Sequence, residues 1–187
     1  MPLALDLLRH GDTGHAGFRG TLDDPLTAQG WQQMEQAVAE QNWDVVISSP
    51  LQRCAAFAQA YATRQGVPLK IDARLVELDF GLWEGKTAAE LMQSDATALQ
   101  NFWQDPERHP PPQGERMADF SARVLQAWQD IAHEHGGQRV LIISHGGVIR
   151  RLLCQVLGLP LNKLLTLDVA HGSLHILNAK ISDKETV

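Results

Sequence analysis

The chain begins with an apolar run, Leu3 to Leu8, that stops abruptly at Arg9-His10-Gly11. Two further short runs, Asp44 to Ile47 and Arg139 to Ile143, stop in the same way at Ser48-Ser49-Pro50 and Ser144-His145-Gly146. Short apolar runs bounded by turn residues predict strands. Between them the apolar spacing changes to three and four. Trp31, Met34 and Val38 mark one face of a helix over Thr27 to Gln41, with Thr27 as its cap. Cys54, Phe57, Ala58 and Tyr61 mark a second, with Ser49 placed to cap it and Pro50 at its first position. Met117, Phe120, Val124, Trp128 and Ile131 define a long amphipathic helix from Glu115 to His135, closed by Gly136-Gly137. Val148, Ile149, Leu152, Leu153, Val156 and Leu157 define another, stopped by Gly158 to Pro160. Strands alternating with helices predict an α/β sandwich. From Ala73 to Gln113 the order is less regular, with short helical pieces near Thr87 to Gln93 and Thr97 to Trp103 and then a loop. This stretch reads as a cap over a pocket. The tail after Asn178 is polar and is expected to fray.

At 187 residues and 44% hydrophobic content the chain can bury one good core, so a single domain over residues 1–187 is expected. A formal charge of -6 argues against nucleic acid or an anionic membrane as partner, and oligomeric state is not legible. Any bound anion must therefore be held by local arginines. There is no basic stretch leading into a long apolar run, and no run approaches the ~20 residues of a membrane span, so a cytoplasmic location is expected. Cys54 and Cys154 fall inside helical patterns and read as buried, reduced thiols.

Two imidazoles, His10 and His145, follow the ends of predicted strands, and Arg9 adjoins the first. Arg53 sits in the first turn of its helix, and helical side chains lean toward the amino end, so it should point back toward the end of the preceding strand. Ligands of open α/β sheets bind at that end. A phosphate monoester carries close to two negative charges, and its displacement is catalysed by positioning and charge stabilisation. Arg9, Arg53 and a protonated His145 would supply that charge, with the helix start at Gly146 adding backbone donors. Neutral His10 would attack phosphorus, and an unperturbed histidine pKa of ~6.5 makes that form available. An alkoxide leaving group needs a proton. Glu77 is the candidate, in a stretch of glycines and aromatics suited to holding a carboxyl partly desolvated, with Asp79 and Glu84 as competitors.

In order along the chain, Arg9-His10-Gly11, Ser49-Pro50-Leu51-Gln52-Arg53, Glu77 before Asp79-Phe80-Gly81, Gly114-Glu115 and Ser144-His145-Gly146-Gly147 resemble the histidine phosphatase superfamily, which includes cofactor-dependent phosphoglycerate mutases. The resemblance spans nearly the whole chain. It implies a three-layer α/β/α sandwich with a mostly parallel sheet and a small helical cap inserted at about residues 84–115. It also implies a phosphohistidine mechanism with no metal and no cofactor: His10 as nucleophile, Arg9, Arg53 and His145 as the phosphate pocket, Glu77 as proton donor and later acceptor. Asp79 to Gly85 and the proline-rich loop before Gly114 look most like the α-ribazole phosphatases of cobalamin synthesis and their broad-specificity relatives.

Two positions depart from the family pattern. Asp12 stands where glutamate is usual, and Ala16 where asparagine is frequent, which removes one amide donor to phosphate. Arg19 or the backbone of Gly20, which align with a substrate-contacting pair of the mutases, are candidates to replace it. His171 is a candidate for the pocket rim, and Arg108 and His109 for contact with the rest of the substrate. His133 and His135 read as solvated at a helix end, and His10 and His15 lack the spacing of a zinc site. Trp31, Trp43, Trp103 and Trp128 read as core or cap packing, and Trp83 as either.

The resulting expectation is a metal-independent phosphomonoesterase acting on a small phosphorylated metabolite, with α-ribazole 5'-phosphate as the specific candidate. Phosphoglycerate mutase, a broad-specificity sugar phosphatase, a phosphohistidine protein phosphatase and a non-catalytic regulator that binds phosphorylated ligands are the alternatives.

Overall fold

The computed structural model describes residues 4–177, so the expectation for the polar tail lies outside the described residues. Five strands form one sheet in the order β3-β2-β4-β1-β5. They are β1 (Ala4–Arg9), β2 (Val45–Ser48), β3 (Leu69–Ile71), β4 (Arg139–Ser144) and β5 (Leu174–Leu177). The first four run parallel and β5 lies antiparallel on the edge beside β1. The helices are α1 (Ala28–Val38), α2 (Gln52–Gln65), α3 (Ala88–Ser94), α4 (Ala96–Gln104), α5 (Met117–Glu134) and α6 (Gly146–Leu157).

The alternation along each strand separates two cores. Leu5, Leu7, Val45, Ile47, Val140 and Ile142 face α5 and α6. Leu8, Val46, Leu141 and Ile143 face α1 and α2 from the other side. Strands buried on both faces explain the continuous apolar runs of the sequence. Asp6 is the exception inside β1. It is fully buried and accepts hydrogen bonds from the Trp43 indole (2.8 Å), Arg139 Nε (2.9 Å) and the Leu177 backbone (3.1 Å), so its polar atoms remain paired.

β1, β2, β4 and the four main helices lie within a few residues of their predicted bounds. Thr27 Oγ1 caps α1 by accepting from Gly30 N at 3.0 Å, as expected. The start of α2 is different: its first helical residue is Gln52 and Leu51 is the cap residue, with no side-chain bond. Ser49 instead turns its hydroxyl toward His145. The short strand β3 has no buried apolar face (Lys70 and Ile71 are exposed), so no hydrophobic alternation marks it in the sequence.

Parallel β1 and β4 are neighbours, with Arg9 opposite Ser144 and His10 N donating to Ser144 O at 3.0 Å. From these adjacent ends the chain departs to opposite faces of the sheet, toward α1 after β1 and into α6 after β4. Such a switch point leaves a crevice beyond the carboxyl ends of the strands. Topology alone brings His10 and His145 to these adjacent strand ends.

Candidate active site

A cavity of about 370 Å³ occupies this crevice, and its polar lining includes Arg9, His10, Glu77, Gly146, Arg150 and His171. His10 is buried, and its Nδ1 lies 2.8 Å from the carbonyl oxygen of Gly11. A carbonyl only accepts, so Nδ1 carries the hydrogen and Nε2 keeps a bare lone pair. Burial, followed by the charges of Arg53 and Arg9, holds the His10 pKa well below its ordinary value, although the Gly11 bond opposes this. The ring is therefore neutral near neutral pH. Gly11 is required where it stands, because a Cβ there would lie 2.1 Å from the carbonyl oxygen of Gly30 in α1.

Arg9, the last residue of β1, donates Nη1 to Val169 O at 2.6 Å and Nη2 to His171 Nε2 at 2.9 Å. Its Nε is buried without a partner among the described residues. The His171 ring lies 5.3 Å from that of His10, which places the Ala170 to Ser173 turn at the pocket.

His145 and Arg53 depart from expectation. The two histidine rings are close, 5.2 Å between centroids, yet His145 and Arg53 lie behind the pocket wall and do not line it. Arg53 Nε donates to His145 Nδ1 at 3.2 Å, and its other nitrogens donate to the carbonyls of Arg19 (2.7 Å), Gly20 (2.8 Å) and Leu22. A guanidinium cannot accept, so His145 Nδ1 is the acceptor and Nε2–H donates to Ser49 Oγ at 2.8 Å. Burial and then the charges of Arg53, His10 and Arg9 hold the His145 pKa well below normal. Full burial among cations disfavours another positive charge, so a protonated His145 requires the charge of a bound phosphoryl group beside the ring. Cys54 packs beneath it, 3.7 Å from Nε2, and burial pushes its thiol up, keeping it protonated.

Glu77 reaches the pocket from the loop after the 3₁₀ turn Ala73–Leu75. Its Oε1 accepts from Leu78 N at 2.9 Å and its Oε2 from Gly147 N at 2.8 Å in the first turn of α6. The competitors are engaged elsewhere. Asp79 accepts from Gly81 N at 2.8 Å, and Glu84 from Phe80 N and Thr21 N, both at 3.0 Å.

Arg19 lines the pocket, but Asp24 ties it down through Nε at 2.7 Å and a second short contact. Gly20 contributes its carbonyl to Arg53 and is not part of the lining, so it does not replace the missing amide. Asp12 accepts from Gly14 N (3.0 Å) and Thr27 Oγ1 (2.8 Å), fixing the loop after β1 to the cap of α1. Arg108 and His109 lie outside the pocket.

The cavity also has a large apolar lining, in which Phe80 contacts both Phe18 and Phe102. Phe18, Phe80, Phe102, Trp103 and Phe120 form it, with Leu165 from the 3₁₀ segment Leu161–Thr166. Trp83 is buried behind this wall, 5.4 Å from Phe102, and packs as core. Trp103 is not the packing residue expected. It is 43% exposed at the pocket, and Leu165 is 38% exposed there. Arg150 was not singled out by the sequence, although it follows Gly146 by one helical turn and so shares its face. Among the described residues no group of three His, Cys, Asp or Glu is arranged to hold a metal, and no helix is long and apolar enough to cross a membrane.

The fold and this constellation define a phosphatase of the histidine type. A family model of the histidine phosphatase superfamily (branch 1) matches residues 5–186, so the chain belongs to that superfamily. It is 30% identical over 185 residues to putative phosphoserine phosphatase 2 of Hydrogenobacter thermophilus, spanning 96% of this chain and 87% of the relative. Among solved structures it is similar to the α-ribazole phosphatase from Shigella flexneri (30% identity, TM-score 0.78, 91% and 88% coverage). It is also similar to Bacillus stearothermophilus YhfR (32% identity, TM-score 0.86, 96% and 92% coverage).

Proposed function

We propose that the chain is a metal-independent phosphomonoesterase that passes through phospho-His10. The observation that carries this is the His10 tautomer: Nδ1–H donates to Gly11 O and leaves Nε2 free at the cavity, which Arg9 also lines. Nε2 attacks phosphorus in line, the P–O bond to the alcohol breaks, and protonated Glu77 gives its proton to the departing oxygen. Water then attacks the phosphorus of phospho-His10. Glu77 takes the proton, the N–P bond breaks, and inorganic phosphate leaves. The Gly147 N–H holds Glu77 beside the start of α6, where the phosphoryl group gains backbone donors.

The aromatic lining of the cavity supports a bulky, largely apolar alcohol as leaving group, which favours α-ribazole 5'-phosphate over compact sugar phosphates and phosphoglycerates. The segment from about 84 to 115 acts as the cap that selects it, since α4 supplies Phe102 and Trp103. Reaction with substrate radiolabelled in the phosphoryl group, quenched in alkaline detergent because the N–P bond is acid-labile, should leave phosphate on His10, and a fully active His10→Ala protein would refute the mechanism. A hydrolysis screen across α-ribazole 5'-phosphate, phosphoserine, sugar phosphates and 3-phosphoglycerate tests the specificity. Release of phosphate from the first must rank among the fastest, and preference for a compact substrate removes that assignment.

A further inference from the structure

We infer that Arg123 and Glu115 are positioning residues for the general acid, forming a clamp on the backbone segment that carries Glu77; the inference rests on the proton-donor role given to Glu77 above. Glu77 lies in an irregular segment, and no strand or α-helix fixes its backbone. Side chains from other elements do so instead. Arg123, on α5, donates Nη1 to the carbonyls of Arg74 (2.7 Å) and Val76 (2.6 Å) and Nη2 to that of Glu77 (3.1 Å). Ser144, the last residue of β4, donates its hydroxyl to the intervening Leu75 O at 2.8 Å. Four successive carbonyls, from Arg74 to Glu77, are thus held by two side chains.

The second half of the clamp is Glu115. Its carboxylate accepts from Nε and Nη2 of Arg123 as a fork, at 2.7 and 2.8 Å, so all five guanidinium donors are engaged. Both side chains are largely buried, 19% and 23% exposed, so water competes little for these bonds. The Glu115 backbone N–H donates to Asp79 O at 2.9 Å, on the far side of Glu77. That approach needs glycine at position 114, where a Cβ would lie 2.5 Å from the same carbonyl oxygen. Gly114-Glu115 and Arg123 do not line the cavity, yet together they grip the Glu77 segment from both sides.

General acid catalysis demands this kind of hold. The Glu77 carboxyl has to meet the departing oxygen while His10 Nε2 attacks phosphorus from the opposite side. Ser144 links the two groups: it holds Leu75 O through its hydroxyl, and its carbonyl accepts from His10 N at 3.0 Å. Arg123 then stops the 76–77 peptides from turning about that anchor, a motion that would carry the carboxylate off the Gly147 N–H. A planar guanidinium suits the task because its donors point in fixed directions, and an ammonium cannot reach three carbonyls and a carboxylate at once.

The test compares wild type, Arg123→Met, Arg123→Lys and Glu115→Gln in the full chain, with thermal melts and far-UV spectra to verify folding. Formation of phospho-His10 from an alkyl phosphate should fall about 10- to 100-fold in both Arg123 variants, and by a smaller factor in Glu115→Gln. Formation from p-nitrophenyl phosphate, whose leaving group needs no proton, should change little, as should affinity for inorganic phosphate. In a Glu77→Gln background, Arg123→Met should add no further loss on the alkyl phosphate, since no acid is left to place. Equal losses on the two substrates, or a loss that adds to that of Glu77→Gln, overturn the inference. If Arg123→Met does not fold, Glu115→Gln, which keeps the shape of the side chain, carries the same comparison. Amide hydrogen exchange reads the clamp apart from the chemistry. The Leu78 N–H, which donates to Glu77 Oε1, should exchange faster in Arg123→Met while the amides of β1 keep their wild-type rates, and unchanged exchange at Leu78 overturns the inference. If Glu77→Gln shows no dependence on leaving group but Leu78 still exchanges faster, the general-acid role falls and the clamp on the segment stands.

Discussion

Arg53 Nε donates to His145 Nδ1 at 3.2 Å, and this one bond fixes the tautomer of the second histidine and occupies the arginine at once. Both residues are buried, and neither lines the cavity.

Removing Arg53 should therefore cost stability as well as activity. Arg53→Met leaves the carbonyls of Arg19, Gly20 and Leu22 and the His145 nitrogen without their donor. At about 1–3 kcal/mol for a buried unsatisfied group, with partial relaxation, the expected loss is about 2–5 kcal/mol. Urea denaturation should show a lowered midpoint. Arg53→Lys should not restore it, since one ammonium cannot span these acceptors.

Acid should destabilise the fold below about pH 6.5. The His10 and His145 pKa values are depressed well below that of an unfolded chain, first by burial. Below about pH 6.5 the unfolded state binds protons that the folded state refuses, so stability falls with falling pH by up to about 1.4 kcal/mol per unit for each ring. Denaturant midpoints of wild type and His145→Gln between pH 7.5 and 5 measure the slope. A slope unchanged by the substitution would exclude His145 as a contributor.

Glu77→Gln should separate leaving groups. Rates on alkyl phosphates should fall about 10²- to 10⁴-fold, because a poor leaving group needs the general acid. Phosphohistidine formation from p-nitrophenyl phosphate, whose phenolate leaves unaided, should fall far less. Burst kinetics on both substrates would reveal the difference, and equal losses would argue for a structural role of Glu77.

Gly147→Ala should mimic part of that loss while leaving the Glu77 carboxyl chemically intact. The added Cβ would lie 2.3 Å from Glu77 Oε1, so the carboxylate must swing away from the α6 backbone. We expect a kcat reduction of about 10-fold or more, in line with the sensitivity of catalysis to small misplacements. Phosphate affinity should change little.

Much of the scaffold was readable in advance because burial writes local patterns. Leu5, Leu7 and Leu8 in β1 and Met117 to Ile131 in α5 are buried on defined faces, so their spacing announces strand and helix. Strand β3 and the 3₁₀ segments carry little or no such pattern and were not predicted. The cap of α2 was misplaced for a related reason: Ser49 satisfies His145 across the sheet, and sequence neighbours do not reveal a partner so distant along the chain.

The sequence by itself determined that a histidine and an arginine follow the first strand, that a second histidine follows a later parallel one, and that an acidic residue lies in an irregular segment between them. Parallel pairing and the switch point then bring them together. Which hydrogen-bond partners each cation takes depends on contacts between segments far apart in the chain. Arg53 donates to the carbonyls of Arg19 and Gly20 in a loop distant along the chain, and Arg150 lines the pocket from the first turns of α6. Charge is a property of the residue, but availability is a property of its partners, and those are chosen by the fold.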